Sequence, residues 1–261
     1  MTASNQEHRG LRLDTPRGHV EIVADPDALA RAAAARFVET IAAAIGERGR
    51  AFVALSGGST PKRMGRLLAS PEFRGRVDWS RLDLFWGDER WVPLASPESN
   101  AGEALRDFIG RVPIPLDRVH PFPTDLETPE AAAAAYESML RATFGMPAGV
   151  PRFDLMFLGM GDDGHTASLF PQTKALTVRD RLATANFVPK LDADRLSLTV
   201  PVFDAGRGVV FLVSGAGKAD TLRQVLEGPD DPERLPSQLI RPEPGTLLWL
   251  ADRAAAADLR R

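Results

Sequence analysis

Phe153-Asp154-Leu155-Met156-Phe157-Leu158 runs directly into Gly159-Met160-Gly161-Asp162-Asp163-Gly164-His165-Thr166-Ala167-Ser168-Leu169-Phe170-Pro171. Short apolar runs of this kind, with almost no polar alternation, are typical of strands buried on both faces, and the glycines that follow mark the exit as a turn. In open α/β sheets, ligands bind in the crevice outside the carboxyl ends of the strands. The turn therefore places a titratable pair, Asp163 and His165, where such proteins keep their chemistry.

The sequence on either side repeats the pattern. Apolar runs at 20–23, 51–55, 82–86, 208–213 and 246–250 read as further strands, and longer periodic stretches at 27–46, 61–69, 129–144 and 217–226 read as helices. Strand then helix, repeated, predicts an α/β fold built on a mostly parallel sheet with helices on both faces. No internal repeat or long linker divides the chain. The proline-rich stretch 113–123 is a candidate excursion, but a single α/β domain over 11–261, preceded by a mobile tail at 1–10, is the simpler expectation.

Composition narrows the function. The chain has 261 residues, 44% of them hydrophobic, which suffices for a substantial core. A net charge of -3 and the lack of a long Lys/Arg run give no field that would gather nucleic acid or anionic lipid, so an anionic ligand has to be held locally. The absence of cysteine removes thiolate nucleophiles, disulfides and Cys-ligated metals, and fits a reducing cytoplasm. The polar start and the lack of an apolar run of bilayer length predict a protein that stays in the cytoplasm and off the membrane.

Four loops at predicted strand ends carry unusual chemistry. Ser56-Gly57-Gly58-Ser59-Thr60-Pro61 combines two glycines, three hydroxyls and a proline able to open a helix, which suits a phosphate cradle at a helix N-terminus. It equally fits an ordinary strand-to-helix turn capped by Ser or Thr. The spacing is not that of a Walker A loop, and Lys62 belongs to the helix. In Trp86-Gly87-Asp88-Glu89-Arg90-Trp91, the flanking aromatics point to partial enclosure of Arg90, either as an oxyanion clamp or as a structural partner of Asp88 or Glu89.

The Gly159–Gly164 spacing matches a dinucleotide fingerprint formally, but Asp162 and Asp163 would face a pyrophosphate with negative charge, and Pro171 limits the helix that should supply the dipole. An acid/base loop makes better sense. Imidazole titrates near pH 6.5, to about a unit, and a neighbouring carboxylate fixes its tautomer and stabilises the imidazolium. Ser214-Gly215-Ala216-Gly217-Lys218 puts a lysine in a helix's first turn, where it needs an external anion or is simply solvated. Arg195, ahead of an apolar segment, is an additional anion-contact candidate.

There is no Gly-x-Ser-x-Gly elbow for a serine nucleophile and no His-Glu-x-x-His or cysteine set for zinc. Metal-free general-base chemistry at His165 on a small phosphorylated compound remains, and an acyl carbon such as a lactone suits a base that activates water directly.

Taken together, Ser56–Pro61, Gly87–Arg90, Gly159–Pro171 and Ser214–Lys218 resemble the 6-phosphogluconolactonase family, over nearly the whole chain and in order. The resemblance implies a Rossmann-like α/β hydrolase without metal or organic cofactor. It would open 6-phospho-glucono-1,5-lactone in the oxidative pentose phosphate pathway as a monomer or weak homodimer. By matching position it makes His165 the general base and Asp163 its orienting partner. Arg90 and Lys218, with Ser56, Gly57, Gly58, Ser59 and Thr60, would hold the 6-phosphate, and Arg195 is carried as a further contact. The glycine-rich loops would supply backbone N–H groups to the oxyanion, and Asp162 is given no chemical role. The related glucosamine-6-phosphate deaminases share the Gly-x-Gly-x-Asp-Gly-His core but follow it with Ala-Phe-Asn-Glu-Pro, so Phe170 stands where they carry a proton-transferring glutamate. Arg90 likewise stands where they tend to have tyrosine. A third reading, a sugar-phosphate-sensing regulator without turnover, has no helix-turn-helix or basic face to support it.

Overall fold

The computed structural model describes residues 11–260, so the expected tail at 1–10 lies outside the described residues. In chain order the strands are β1 (Leu11–Thr15), β2 (Gly18–Val23), β3 (Ala51–Leu55), β4 (Leu82–Trp86), β5 (Asp88–Arg90), β6 (Val119–His120), β7 (Leu155–Gly159), β8 (Ala183–Val188), β9 (Ala193–Leu198), β10 (Gly208–Val213) and β11 (Thr246–Asp252). The helices are α1 (Pro26–Arg48), α2 (Ser59–Leu68), α3 (Asn100–Asp107), α4 (Pro129–Phe144), α5 (Val200–Asp204) and α6 (Ala219–Glu227). Every strand and helix read from the sequence is present, with ends shifted by a few residues.

Local chemistry sets the helix limits. Asp25 caps α1 by accepting from the Asp27 and Ala28 N–H groups, and Gly49, with φ +79°, closes it in a left-handed turn. Thr128 and Gly145 do the same for α4.

Eight strands form one sheet in the order β1-β2-β11-β10-β7-β3-β4-β6, and all neighbours pair in parallel except β1 with β2. Pairing register aligns Ala54 with both Phe85 and Met156, so these three share a face, while Phe157 projects from the other. Phe37 of α1 stacks on Phe157, with centroids 6.5 Å apart, whereas Tyr136 and Phe144 of α4 pack on Phe85. Helices therefore cover both faces, as the apolar strands require. One hydrophobic cluster runs through the sheet and both layers.

The order reverses at β3: the chain proceeds outward through β4 and β6 on one side and through β7, β10 and β11 on the other. The crevice at such a reversal is where ligands bind in this architecture. The loops leaving β4, β3, β7 and β10, four adjacent strands, are the four singled out above.

A second, three-stranded antiparallel sheet, β5-β9-β8, was not legible in the sequence. Gly87 joins it to the main sheet, donating its N–H to the Leu55 carbonyl and accepting from the Leu198 N–H, both at 2.8 Å. The stretch 113–123 is an excursion that adds the short edge strand β6. Among the described residues, no helix is long and apolar enough to cross a membrane.

Candidate active site

The loop after β7 is fastened to itself. The Gly161 N–H donates to the His165 carbonyl at 2.8 Å, the Gly164 N–H to the Gly161 carbonyl at 3.1 Å, and the Thr166 hydroxyl to the Gly159 carbonyl at 2.8 Å. Ser237 holds the Gly164 carbonyl from outside through its N–H and its hydroxyl. Gly164 has φ +76°, and a side chain there would press on Leu235. No helix follows: the chain turns through Ala167, itself at φ 48°, which rules out a dinucleotide arrangement.

This loop brings His165 Nδ1 to 2.6 Å from Asp163 Oδ1, which also accepts the His165 N–H at 3.2 Å. The other carboxylate oxygen accepts from Lys190 Nζ at 3.0 Å. The hydrogen bond from His165 holds the Asp163 carboxyl well below its ordinary range; burial opposes this and Lys190 reinforces it. An ionised carboxylate at Nδ1 requires Nδ1 to carry a proton, so in the neutral ring Nε2 is the acceptor. The ring lies on Phe170, with centroids 4.0 Å apart and planes 20° apart, so its orientation is fixed on a second side. Among the described residues, the other histidine–carboxylate pairs lie elsewhere: His120 meets Asp83 at the start of β4, and His19 meets Asp14 on the exposed hairpin of β1 and β2.

The loop after β3 leads into α2 with Gly58 as N-cap and no side-chain cap, so the Ser/Thr-capped turn does not form and α2 begins at Ser59 rather than Pro61. The first turn carries no acidic residue, and the Ser56 hydroxyl is buried without a partner. Unspent donors at an uncapped helix start make an anion site. Lys62 points away, to Glu103 at 2.6 Å. Asn100 closes the cradle from α3: a Cβ on Gly57 would overlap its side chain, and its buried Oδ1 has no partner.

Glu89, 1% exposed, turns away from the Arg90 side chain. Its carboxylate accepts from the N–H groups of Arg90, Asn100 and Ala101 at 2.7–2.9 Å and from the Ser99 hydroxyl at 3.0 Å, so it serves the start of α3. Burial pushes its carboxyl up against the pull of these donors. Asp88 is engaged by the Ser168 hydroxyl at 2.8 Å, and burial raises it too. The Arg90 guanidinium bonds the Glu98 carbonyl with one nitrogen and faces the cleft.

The loop after β10 is set by Asp252 at the end of β11, which accepts from the Ser214 hydroxyl at 2.6 Å and from the Gly215 N–H. Lys218 precedes α6 as its N-cap, and its ammonium pairs with Asp162 at 2.5 Å. Asp162 thus has a role the sequence did not suggest: it supplies the anion that Lys218 lacks. Asp162 is 81% exposed, and pairs of this kind contribute little, so a phosphate dianion can displace it.

Ser56, Gly57, Gly58, Ser59, Thr60, Arg90, His165 and Lys218 line one cleft of about 300 Å³. Arg195 does not reach it; with Asp163 and Lys190 it lines an adjoining hollow of similar volume on the other side of His165. Lys190, Asn100 and the stacking role of Phe170 escaped the sequence reading. A hairpin signal around Val188-Pro189-Lys190-Leu191-Asp192 was available for the first. Among the described residues no group of three or more His, Asp or Glu side chains is placed to hold a metal ion.

The family model described as glucosamine-6-phosphate isomerases/6-phosphogluconolactonase matches residues 24–249. The chain belongs to this family. A 6-phosphogluconolactonase of Synechocystis sp. is 45% identical over 221 residues, covering 84% of this chain and 89% of that protein. One from Nostoc sp. is 41% identical over 241 residues, covering 92% and 98%. The solved 6-phosphogluconolactonase of Trypanosoma brucei superposes with a TM-score of 0.81 at 27% identity, covering 95% of this chain and 100% of that one. The match thus takes in the small sheet, the large sheet from β3 to most of β11, and all four loops.

Proposed function

We propose that residues 11–261 act as one cytoplasmic catalytic domain that hydrolyses 6-phospho-D-glucono-1,5-lactone to 6-phospho-D-gluconate in the oxidative pentose phosphate pathway. The observation that carries this reading is the His165–Asp163 pair, with Nε2 left free at the junction of two hollows, one of them an anion cradle. The 6-phosphate sits on the Ser56–Thr60 turn between Arg90 and Lys218, displacing Asp162 from the lysine. That places the ring's C1 near His165. Nε2 takes a proton from the water that attacks C1, Asp163 stabilises the imidazolium, and the same proton passes to the ring oxygen as the C1–O5 bond breaks. Phe170 stacks on the base and offers no group for the proton transfer that an amino-sugar isomerase needs.

A coupled assay of freshly made lactone against glucosamine 6-phosphate tests the reading. Lactone opening above the spontaneous rate is expected; turnover of the amino sugar without the lactone would overturn it. Arg90→Ala should raise KM for the lactone about tenfold or more with kcat little changed, because phosphate contacts are alike in ground and transition states. An unchanged KM would remove Arg90 from the phosphate site.

A further inference from the structure

Lactone opening turns a neutral carbonyl oxygen into an oxyanion and then into a carboxylate, and some donor has to receive that charge. Several backbone groups of the β7 loop are already engaged. The N–H groups of Gly161, Gly164 and His165 are committed to the loop's own acceptors. The Ser168 N–H faces the Ser197 hydroxyl at 3.4 Å, and the Leu169 N–H bonds the Thr166 carbonyl.

Arg195 is placed differently. In the antiparallel register of β5 and β9 it lies directly opposite Arg90, so two guanidiniums share one face of the small sheet. Like charges directly opposite are unfavourable unless an anion lies between them. Burial first, and Arg90 second, push the Arg195 guanidinium down from its ordinary value, against the pull of the Asp88, Glu98 and Glu89 carboxylates. Its Nε is buried without a partner. Arg90, Asp88, His165 and Ala167 border both halves of the cleft, whereas Arg195 borders only the half beyond His165, away from the phosphate cradle. A ligand whose phosphate occupies the cradle and whose reacting carbon lies at His165 presents its carbonyl oxygen to this second half.

We propose that Arg195 is a catalytic residue, the electrophile of lactone opening, rather than a phosphate contact. Its guanidinium receives the C1 oxygen as the carbonyl electron pair moves onto it and afterwards holds the product carboxylate. Water supplies the hydroxyl, the ring oxygen leaves with the proton carried by His165, and the new carboxylic acid releases its proton to solvent. This assignment rests on the lactonase reading.

The test compares calorimetric binding of 6-phosphogluconate and glucitol 6-phosphate, which carries CH₂OH in place of the carboxylate, to wild type, Arg195→Met and Arg195→Lys. Wild type should prefer the acid by about tenfold, as expected for one charge-assisted contact. Arg195→Met should lose the preference while binding the alditol as wild type does, which also reports an intact fold and cradle. Arg195→Lys should keep part of it. In turnover, Arg195→Met should lower kcat by about 10²–10³-fold with little change in KM, the opposite split to Arg90→Ala. Retention of the acid preference in Arg195→Met, or equal loss of both ligands, would overturn the assignment. Wild-type protein that binds neither ligand and opens no lactone would sink the lactonase reading, and this assignment with it.

Discussion

Replacing His165 with alanine is expected to lower kcat for the phosphorylated lactone by about 10²–10⁴-fold, the range over which a positioned general base contributes. Binding of 6-phosphogluconate should stay close to wild type, because the phosphate is held across the cleft by Arg90, Lys218 and the start of α2. The two readouts matter together. Loss of rate alone would also follow from a collapsed site, but His165 is part-exposed and its main packing partner, Phe170, belongs to the same loop. Truncation should therefore leave the sheet and the cradle in place. Because the lactone hydrolyses spontaneously, the comparison is made after subtracting the uncatalysed rate. Wild-type turnover in the variant would end the general-base mechanism, and parallel loss of product binding would place His165 in the binding site instead.

The parts of the molecule that the sequence announced are those whose chemistry is local. Strands buried on both faces, such as Leu155–Gly159 and Gly208–Val213, must be apolar throughout, and the turns after them must carry glycines and hydroxyls if a ligand is to reach the backbone. The fold and the four loops follow from those two constraints. In the second sheet β5 is stabilised only by a partner distant in sequence, Asp88-Glu89-Arg90 becoming a strand by pairing with residues 195–197, and in the β8–β9 hairpin the second strand is half polar along its first residues. A three-residue strand has no period to read.

The same distinction separates the site residues. The spacing of Asp163 and His165 is a local fact, and so is the glycine pattern around them. Lys190 meets Asp163 across 27 residues of chain, at the tip of the β8–β9 hairpin, and a local turn signal there does not say which distant residue it reaches. Glu89 looked like a partner for Arg90 because both lie in one charged run. Its true partners, the first N–H groups of α3, lie ten to twelve residues downstream and come into reach when the Trp91–Glu98 loop folds back. The sequence leaves Lys218 either in need of an anion or solvated, and the anion that meets it in the structure, Asp162, sits in another loop.

Gly161→Ala should cost at least about 10²-fold in kcat, the penalty that ångström-scale misplacement of a catalytic group carries. A Cβ built on Gly161 overlaps the His165 ring and comes within 2.8 Å of Asp163 Oδ1, so both halves of the pair are displaced by one methyl group. Rotation of the ring alone offers no escape, since Phe170 lies 4.0 Å beneath it and the Asp163 bond fixes its edge. Movement of the loop is resisted by the bond from the Gly161 N–H to the His165 carbonyl and by the grip of Ser237 on Gly164. Gly159 makes the internal control. A Cβ there meets nothing within 4 Å, so Gly159→Ala should fold normally and leave the pair in place. Thermal melts and binding of glucitol 6-phosphate establish that each variant keeps its fold and cradle. If Gly161→Ala turned over the lactone as fast as wild type with an unchanged pH profile, the close approach of ring to loop would not be what holds the base in position.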